Sequence, residues 1–481
     1  MKFFDDILYI LTKKRTAVFK QQVGVFKLIN SEKNLKLLQA KFSFDTLAVY
    51  RQLLEDEVLR KLAQLVNLVN EEKCNLSQFI RTYNDFYFSL INAGTCSLKD
   101  YIADLIIYTA TPFSKRLSTK NLPPMDSQLE KAVINDLTRL EQIANLSAFE
   151  FKEHALNGIC SSPLERKIIN ELPEWNNSPD CLSYNSEDEG TKLKQSLLTS
   201  SNWSQHFSNL SSFFQNNGSG IFARYKAFIW EGENKLTGIS SPDPIKLTDL
   251  IGYEKEREIV IENTLLFLKN LPANNVLLYG DRGTGKSSTV KALLNEYHSL
   301  GLRLIELPKP KLADFPKLVR VIKNINLKFI IFIDDLAFED SEENYTSLKA
   351  VLEGSIENKP ENLVIYATSN RRHLIKETFS DRAGLYATNS EDQVRAADNI
   401  QEKLSLSDRF GITVIFSSPD QDKYLEIVRG IAQKRGLDID LETITKEALK
   451  WELWYNGRSP RTARQFVDWL EGKIKTKKGD D

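Results

Sequence analysis

The sequence has few cysteines, and their spacing suggests neither a metal site nor a disulfide framework. Four cysteines and four histidines occur among 481 residues. The cysteines are Cys74, Cys96, Cys160 and Cys181. None belongs to a C-x-x-C pair or lies near a pair of histidines, which are the spacings that zinc sites use. We therefore predict reduced thiols that are mostly buried.

The sequence also lacks an excess of either charge and any long apolar run. It contains 64 Lys and Arg residues against 65 Asp and Glu residues, so no overall basic excess points to nucleic acid or to an anionic membrane as a partner. A total cannot exclude a local basic patch. No run approaches the ~18 apolar residues of a membrane-spanning helix, and the first residues lack the apolar core of a signal peptide. We expect a cytoplasmic protein with no membrane span.

One stretch carries a specific chemical signature. The apolar residues 276–279 predict a short buried strand, and the sequence GDRGTGKS at 280–287 then fits the P-loop pattern G-x-x-x-x-G-K-[ST]. Glycines allow backbone N–H groups to approach a phosphate chain, and the helix that follows points its N-terminus at the anion. Lys286 can reach the outer phosphates, and the Ser287 hydroxyl can ligate Mg²⁺. The predicted nucleotide-binding residues are Gly280, Asp281, Arg282, Gly283, Thr284, Gly285, Lys286, Ser287 and Ser288.

A chance match in a glycine-rich turn is the alternative interpretation of this stretch. We favour the P-loop because the strand, the loop and a predicted helix at 288–300 follow one another in the order that phosphate binding requires.

Two carboxylates follow a second apolar run. Residues 329–333 predict a buried strand that ends in Asp334 and Asp335. We predict that Asp334 holds Mg²⁺ together with Ser287 and that Asp335 acts as general base on the attacking water. On its own this would be a strand followed by an acidic turn, but it comes one β-α-β step after a P-loop. Glu339 is a lower-ranked candidate for the base.

Three more polar residues are candidates for the same site. Another apolar strand is predicted to end near Asn370, whose amide could orient the water or touch the γ-phosphate. Arg409 precedes the last predicted strand and could stabilise transition-state charge in a neighbouring subunit, although a surface arginine is the simpler interpretation. Arg461 lies at the start of a predicted helix, where positive charge is mildly unfavourable, so a bound anion would explain it better. Solvated side chains are the simpler interpretation of Arg458 and Arg464.

Composition and periodicity divide the chain into five segments. Apolar residues at helical spacing, as at 54–69, predict amphipathic helices in the first part. From residue 247 onward strands alternate with helices, which predicts an α/β fold with a parallel sheet covered by helices on both faces. We predict a mostly helical N-terminal domain at 1–172, a flexible Ser- and Asn-rich linker at 173–220, a strand and lead-in segment at 221–246, a nucleotide-binding core at 247–418 and a helical lid at 419–481.

Residues 247–475 resemble the AAA+ ATPases. Residues 280–287 look like Walker A, 330–335 like Walker B, Asn370 like sensor 1, Arg409 like the arginine finger and Arg461 like sensor 2. Within that superfamily, the stretches YKAFIW (225–230), DDL (334–336), YATSNRRHL (366–374) and ARQFVDW (463–469) are similar to a bacterial group of predicted ATPases of unknown function. The resemblance implies an αβα core with an α-helical lid, a nucleotide held between them and assembly into a homo-oligomer.

These observations favour an ATP-binding, Mg²⁺-dependent ATPase that moves its lid and N-terminal domain against an unknown macromolecular client. The superfamily usually ends Walker B with Asp-Glu, whereas Asp335 is shorter, which supports a nucleotide-gated binding module with little hydrolysis as the alternative. A DNA-loading or DNA-remodelling ATPase is a third hypothesis, which the missing basic excess and DNA-binding motif disfavour. A P-loop kinase is least favoured, because no acceptor pocket can be identified.

Overall fold

The computed structural model describes most of the chain in two compact units. The described residues are 35–71, 74–120, 122–123, 125–175, 188–336, 352, 360–370, 409–437, 440–455 and 457–479. The first unit comprises Met1–Leu117, Asn121–Gln215 and Ser219–Ala223, and the second comprises Ser118–Lys120, Asn216–Gly218 and Arg224–Asp481. The candidate base Glu339 lies outside the described residues.

Helices build the first unit, as predicted for the N-terminal part of the chain. A helix covers residues 35–45. It is followed by α1 (Glu57–Val69), α2 (Leu76–Asn92), α3 (Leu98–Tyr108), α4 (Pro112–Leu117), α5 (Ser127–Ala144), α6 (Ala148–Gly158), α7 (Pro163–Asn170), α8 (Glu189–Thr199), α9 (Phe207–Asn217) and the short α10 (Ile221–Arg224). Polar N-caps define several starts: Asp56 accepts the backbone N–H groups of Val58 and Leu59 at the start of α1. The apolar stripe predicted on this helix, Val58, Leu62, Leu65 and Val69, is buried in the core of this unit.

The prediction of a flexible linker at 173–220 is wrong for the described residues from 188 onward. Helices α8 and α9 occupy that stretch, and Leu197, Trp203, Leu210 and Phe214 are fully buried there. Serine and asparagine dominate the composition, but these few large apolar residues supply enough buried surface to order the segment. Residues 176–187 lie outside the described part.

A mostly parallel sheet of seven strands forms the centre of the second unit, which confirms the predicted α/β fold class. The strands are β1 (Ala227–Gly232), β2 (Lys235–Ile239), β3 (Val276–Gly280), β4 (Leu302–Glu306), β5 (Lys328–Ile333), β6 (Leu363–Ser369) and β7 (Ile412–Phe416). Their order is β2-β1-β4-β5-β6-β3-β7, and every pair is parallel except β1 with β2. Strands β3, β5 and β6 therefore end at the same edge of the sheet.

The strand predicted to run from residue 221 is wrong in its first half, because residues 221–224 form α10 and β1 begins at Ala227. The sequence analysis also missed β2. Glu233 and Asn234 join β1 to β2 in the left-handed region, with φ values of 51° and 61°. A two-residue connection of that kind makes a tight hairpin whose twist matches the strands.

Six helices accompany the sheet among the described residues of the second unit. They are α11 (Glu254–Leu268), α12 (Lys286–Tyr297), α13 (Phe315–Ile322), α14 (Gln421–Lys434), α15 (Leu441–Trp454) and α16 (Pro460–Gly479). We refer to α14, α15 and α16 as the lid. Apolar residues of the lid share one core cluster with residues of β3, β5 and β6.

The hydropathy of the helices and the exposure of the cysteines can be compared with the sequence. Within the described ranges, no helix is both long enough and apolar enough to cross a bilayer. The prediction of mostly buried thiols is wrong for the cysteines that are described: Cys96 is exposed, and Cys74 and Cys160 are half-buried.

Candidate nucleotide-binding site

The loop between β3 and α12 turns tightly against the end of β7. Gly280 has a φ of 134°, and a Cβ there would lie 2.1 Å from the carbonyl oxygen of Phe416. Gly283 and Gly285 follow with φ values of 78° and 94°. These conformations favour glycine, and they turn the backbone of the loop into the start of α12. The loop therefore has the form expected of an anion-binding nest at a helix N-terminus.

Lys286 lies inside this loop. Its ammonium group donates to the carbonyl oxygens of Gly280 at 3.0 Å and Asp281 at 2.6 Å, and the residue is only 5% exposed. Burial lowers the pKa of Lys286 to about 8, and the nearby carboxylates of Asp281 and Asp334 oppose part of that effect. A buried cation with only backbone carbonyls as strong acceptors has unused capacity to stabilise an anion.

Ser287 and Asp334 come together although 47 positions separate them. The Ser287 hydroxyl donates to Asp334 Oδ1 at 2.6 Å, and the Thr368 hydroxyl donates to the same oxygen at 2.5 Å. Hydroxyl and carboxylate oxygens are the ligands that Mg²⁺ prefers, and Mg²⁺ commonly uses one or two protein ligands together with phosphates. The described residues contain no cluster of three or more His, Cys, Asp or Glu side chains placed to hold a metal. The pair of Ser287 and Asp334 therefore fits Mg²⁺ that is bound with a nucleotide.

Asp335 is held by residues from two other strand ends. Its backbone is in the left-handed region with a φ of 51°, and its N–H donates to Thr368 Oγ1 at 2.9 Å. Asn370 donates to Asp335 Oδ1 at 2.6 Å, and Lys309 Nζ lies 3.6 Å from Oδ2. The structure thus brings the predicted base and the predicted sensor residue into direct contact.

Lys286, Ser287, Asp334, Asp335, Thr368 and Asn370 line one cavity of about 590 Å³. Its lining residues are Asp249, Leu250, Ile251, Arg257, Arg282, Gly283, Thr284, Gly285, Lys286, Ser287, Ser288, Asp334, Asp335, Thr368, Asn370, Ile427, Ile431, Pro460, Arg461 and Arg464. The N–H of Arg461 at the start of α16 donates to the Gly283 carbonyl at 3.1 Å. The lid and the loop are therefore joined beside the cavity.

Three of the predicted site residues do not line this cavity. Gly280 and Asp281 contribute carbonyl oxygens to Lys286, while the Asp281 carboxylate accepts the N–H of Ser418 at 2.7 Å and so faces the β7–α14 connection. Arg409 precedes β7, whose first residue Ile412 pairs with Val276 at the beginning of β3. It therefore lies near the edge of the sheet opposite to the loop.

Sequence reasoning missed several residues of the site. Thr368 and Lys309 contact the two aspartates, and the apolar side chains of Leu250, Ile251, Ile427 and Ile431 form part of the cavity wall. Arg257 also lines the cavity and is 7% exposed. No motif marks these residues in the sequence, because α11, the lid and the loop meet only in the folded chain.

Comparisons with known proteins point to one superfamily. The family model "Protein of unknown function (DUF815)" matches residues 223–474. The proteasome-activating nucleotidase of Methanococcus maripaludis is 30% identical over 236 residues, which cover 47% of this chain and 54% of that protein. The 26S proteasome regulatory subunit 4 homolog of Saccharomyces cerevisiae is 25% identical over 229 residues, covering 42% of this chain and 52% of that protein.

The chain spans about half the length of the curated relatives that it matches. Among solved structures, the Thermotoga maritima RuvB Holliday junction branch migration motor is 16% identical, with 49% of this chain and 67% of that chain covered and a TM-score of 0.34.

Proposed function

The chain belongs to the DUF815 family, described as proteins of unknown function, and to the AAA+ superfamily, and we propose that it binds ATP with Mg²⁺ and hydrolyses it. One observation carries this proposal: the 2.6 Å hydrogen bond from Ser287 to Asp334, beside the buried ammonium of Lys286. It brings a P-loop hydroxyl and a strand-end carboxylate to one point. That combination supports the binding of a phosphate chain with a divalent metal.

The cavity offers separate surfaces for the parts of a nucleotide. Backbone N–H groups of the loop, the Lys286 ammonium and the start of α12 suit the phosphates. Ser287 and Asp334 would hold Mg²⁺, which when bound supplies positive charge to the phosphate oxygens. Leu250, Ile251, Ile427 and Ile431 suit the apolar faces of a nucleobase.

We assign the hydrolytic step to Asp335 and Asn370. The Asp335 carboxylate accepts the proton of the attacking water, and Asn370 fixes the orientation of that carboxylate through its 2.6 Å hydrogen bond. Arg461, which lines the cavity, stabilises the charge on the phosphates from the lid side. Arg409 would act on the site of a neighbouring subunit in a homo-oligomer.

We further propose that the helical first unit contacts a protein client in the cytoplasm. We also propose that the lid changes conformation according to the nucleotide that is bound. Support comes from the hydrogen bond between Arg461 N–H and the Gly283 carbonyl, because it joins lid and loop directly. The balance of acidic and basic residues favours a protein client over nucleic acid.

The proposal is tested with Lys286→Ala and a matched control, Lys291→Ala, on the same helix. Lys291 is 3.8 Å from Asp243 and does not line the cavity. We expect Lys286→Ala to lose ATP–Mg²⁺ binding in calorimetry and to lower phosphate release by about 100-fold or more, while Lys291→Ala matches the wild type. Equal activity of the two variants would reject the proposed site.

A nucleotide-gated binding module is the second candidate, because both oxygens of the short Asp335 side chain already contact Asn370 and Lys309. Single-turnover hydrolysis of radiolabelled ATP separates the two candidates. Tight binding without release of labelled phosphate would support the second one.

A further inference from the structure

Arg257 is buried beside the cavity, although the proposed reaction assigns it no role. It extends from the first turn of α11 and is 7% exposed. Its guanidinium donates to the carbonyl oxygens of Gly252 and Leu250, the latter at 2.8 Å, and it lies 3.3 Å from Glu254 Oε1. Burying a guanidinium is costly, and two of these three acceptors are backbone carbonyls rather than charged groups.

The carbonyls that Arg257 contacts belong to a segment with unfavourable backbone geometry. Gly252 and Tyr253 are both in the left-handed region, with φ values of 77° and 62°. A tyrosine in this region is strained, so surrounding contacts must hold it there. The Tyr253 hydroxyl donates to the Ser417 carbonyl at 2.6 Å, and Arg257 fixes the preceding turn.

That segment carries one side of the apolar cavity wall. Ile251 packs against Gly430 of the lid so closely that a Cβ on Gly430 would lie 2.9 Å from two of its carbon atoms. A Cβ on Gly252 would lie 3.1 Å from Ile427. A small rotation of the segment would therefore separate Ile251 from the lid and open the wall.

We propose that Arg257 is a positioning residue for nucleoside recognition: by bridging the carbonyls of Leu250 and Gly252 it keeps Leu250 and Ile251 against the lid as the surface that receives the base. This role rests on the proposed function, and it concerns the base rather than the phosphates. The planar guanidinium suits it, because one group can donate to two carbonyls at a fixed separation. A lysine side chain is shorter and carries all its donors on one nitrogen, whereas Arg257 uses two nitrogens for the two carbonyls, so a lysine would not hold them at the same separation.

The test compares ATP with inorganic tripolyphosphate, which has the phosphates but no nucleoside. Calorimetry with Mg²⁺ measures the binding of both compounds to full-length wild-type protein, to Arg257→Met and to Arg464→Met. Arg464 is the matched control, since it lines the same cavity but is exposed.

We expect Arg257→Met to weaken ATP at least about tenfold, the equivalent of ~1.4 kcal/mol, and to leave tripolyphosphate affinity within about twofold. Arg464→Met should weaken both compounds equally, because it removes only charge. Arg257→Lys should resemble Arg257→Met in spite of its retained charge.

Other outcomes overturn the inference. Equal weakening of ATP and tripolyphosphate by Arg257→Met would show that the arginine acts through charge, and unchanged ATP binding would show that it does not position the wall. A wild-type protein that binds neither compound would overturn the proposed function itself. If Arg257→Met does not fold, Arg257→Lys and Ile427→Ala, which shortens the opposite wall, carry the same comparison: equal loss of both compounds in these two variants rejects the role.

Discussion

Asp335 is the residue on which hydrolysis should depend most directly. Asp335→Asn keeps the size of the side chain and one acceptor oxygen for the Asn370 hydrogen bond but removes the carboxylate that accepts the proton. We expect ATP binding within about twofold of wild type and phosphate release lowered by about 100-fold or more, the range of a lost general base. Calorimetry and a phosphate-release assay measure the two quantities. Turnover at the normal rate would move the base to another residue, with Glu339 the next candidate.

The two residues that hold Asp335 should matter to different degrees. Asn370 donates at 2.6 Å, whereas the ion pair with Lys309 is 3.6 Å long and its two side chains are 35% and 59% exposed. Exposed ion pairs contribute about 0–1 kcal/mol because water screens them. We expect Asn370→Ala to lower kcat about tenfold or more with little change in KM, and Lys309→Met to change kcat by less than about fivefold. The reverse order in steady-state assays would make Lys309 the main support of the base.

At the level of residues, the sequence predicted the site residues whose type is required for phosphate and metal binding. It missed the residues whose place in the cavity depends on how the helices and strands pack. Lys286, Ser287 and Asp334 belong to contiguous motifs, and the structure places them together. Arg257 and Ile427 belong to no motif, because their part in the cavity depends on α11 and the lid meeting in space. No local sequence pattern indicates that α11 and the lid are in contact.

Among the elements, the junction of β3 and α12 should tolerate substitution least. A Cβ at Gly280 would lie 2.1 Å from a backbone oxygen of Phe416, which cannot move without disturbing β7, and the φ of 134° is unfavourable for alanine. We expect Gly280→Ala to lower the free energy of unfolding by more than about 2 kcal/mol. Gly472→Ala on α16 is the control: apart from its chain neighbours and the backbone of its own helix, nothing lies within 4 Å of the added Cβ, so it should stabilise the helix by up to about 1 kcal/mol. Urea denaturation of both variants measures the difference, and similar midpoints would contradict the predicted steric clash.

In the first unit, the turn before α1 depends on one buried carboxylate. Asp136 on α5 is 2% exposed and accepts the N–H groups of Ala48, Val49 and Tyr50 at 3.1, 2.7 and 2.8 Å. Asp136→Ala would leave these donors without their carboxylate acceptor, and each such loss costs ~1–3 kcal/mol. We expect a loss of at least about 2 kcal/mol in urea denaturation, with a smaller loss for Asp136→Asn, which keeps one acceptor. A variant as stable as wild type would show that water replaces the carboxylate.

The elements of the second unit were predictable because strand and helix periods alternate clearly there, and the strand predicted at 276–279 is observed as β3 (Val276–Gly280). Two parts of the chain were not predicted correctly: the β1–β2 hairpin of the second unit, and helices α8 and α9 of the first unit. The hairpin of β1 and β2 depends on left-handed residues at Glu233 and Asn234, which are not the usual glycine-containing turn pair. Helices α8 and α9 lie in a stretch whose polar composition hides a few large buried side chains.

For the whole molecule, the catalytic role proposed for Arg409 requires assembly with a second copy. Strands β3 and β7 are parallel, and Ile412 pairs with Val276, so Arg409 precedes the sheet at the end remote from Gly280 and does not line the cavity of its own chain. A catalytic arginine there can serve only a site on another copy. Arg409→Ala and Lys286→Ala should each be inactive alone, since the first lacks the arginine supplied to its neighbour and the second lacks a functional loop.

Mixing the two variants gives a sharper result than either variant alone. In a mixed oligomer, an intact loop from Arg409→Ala meets an intact arginine from Lys286→Ala, so phosphate release should reappear in proportion to the fraction of such interfaces. Arg409→Ala mixed with the double variant Lys286→Ala/Arg409→Ala is the control and should stay inactive, because that mixture contains no intact arginine. Sedimentation at the assay concentration establishes the oligomeric state. A fully active monomer, or full activity of Arg409→Ala alone, would exclude the role in a neighbouring subunit and leave Arg461 as the arginine that acts on the phosphates.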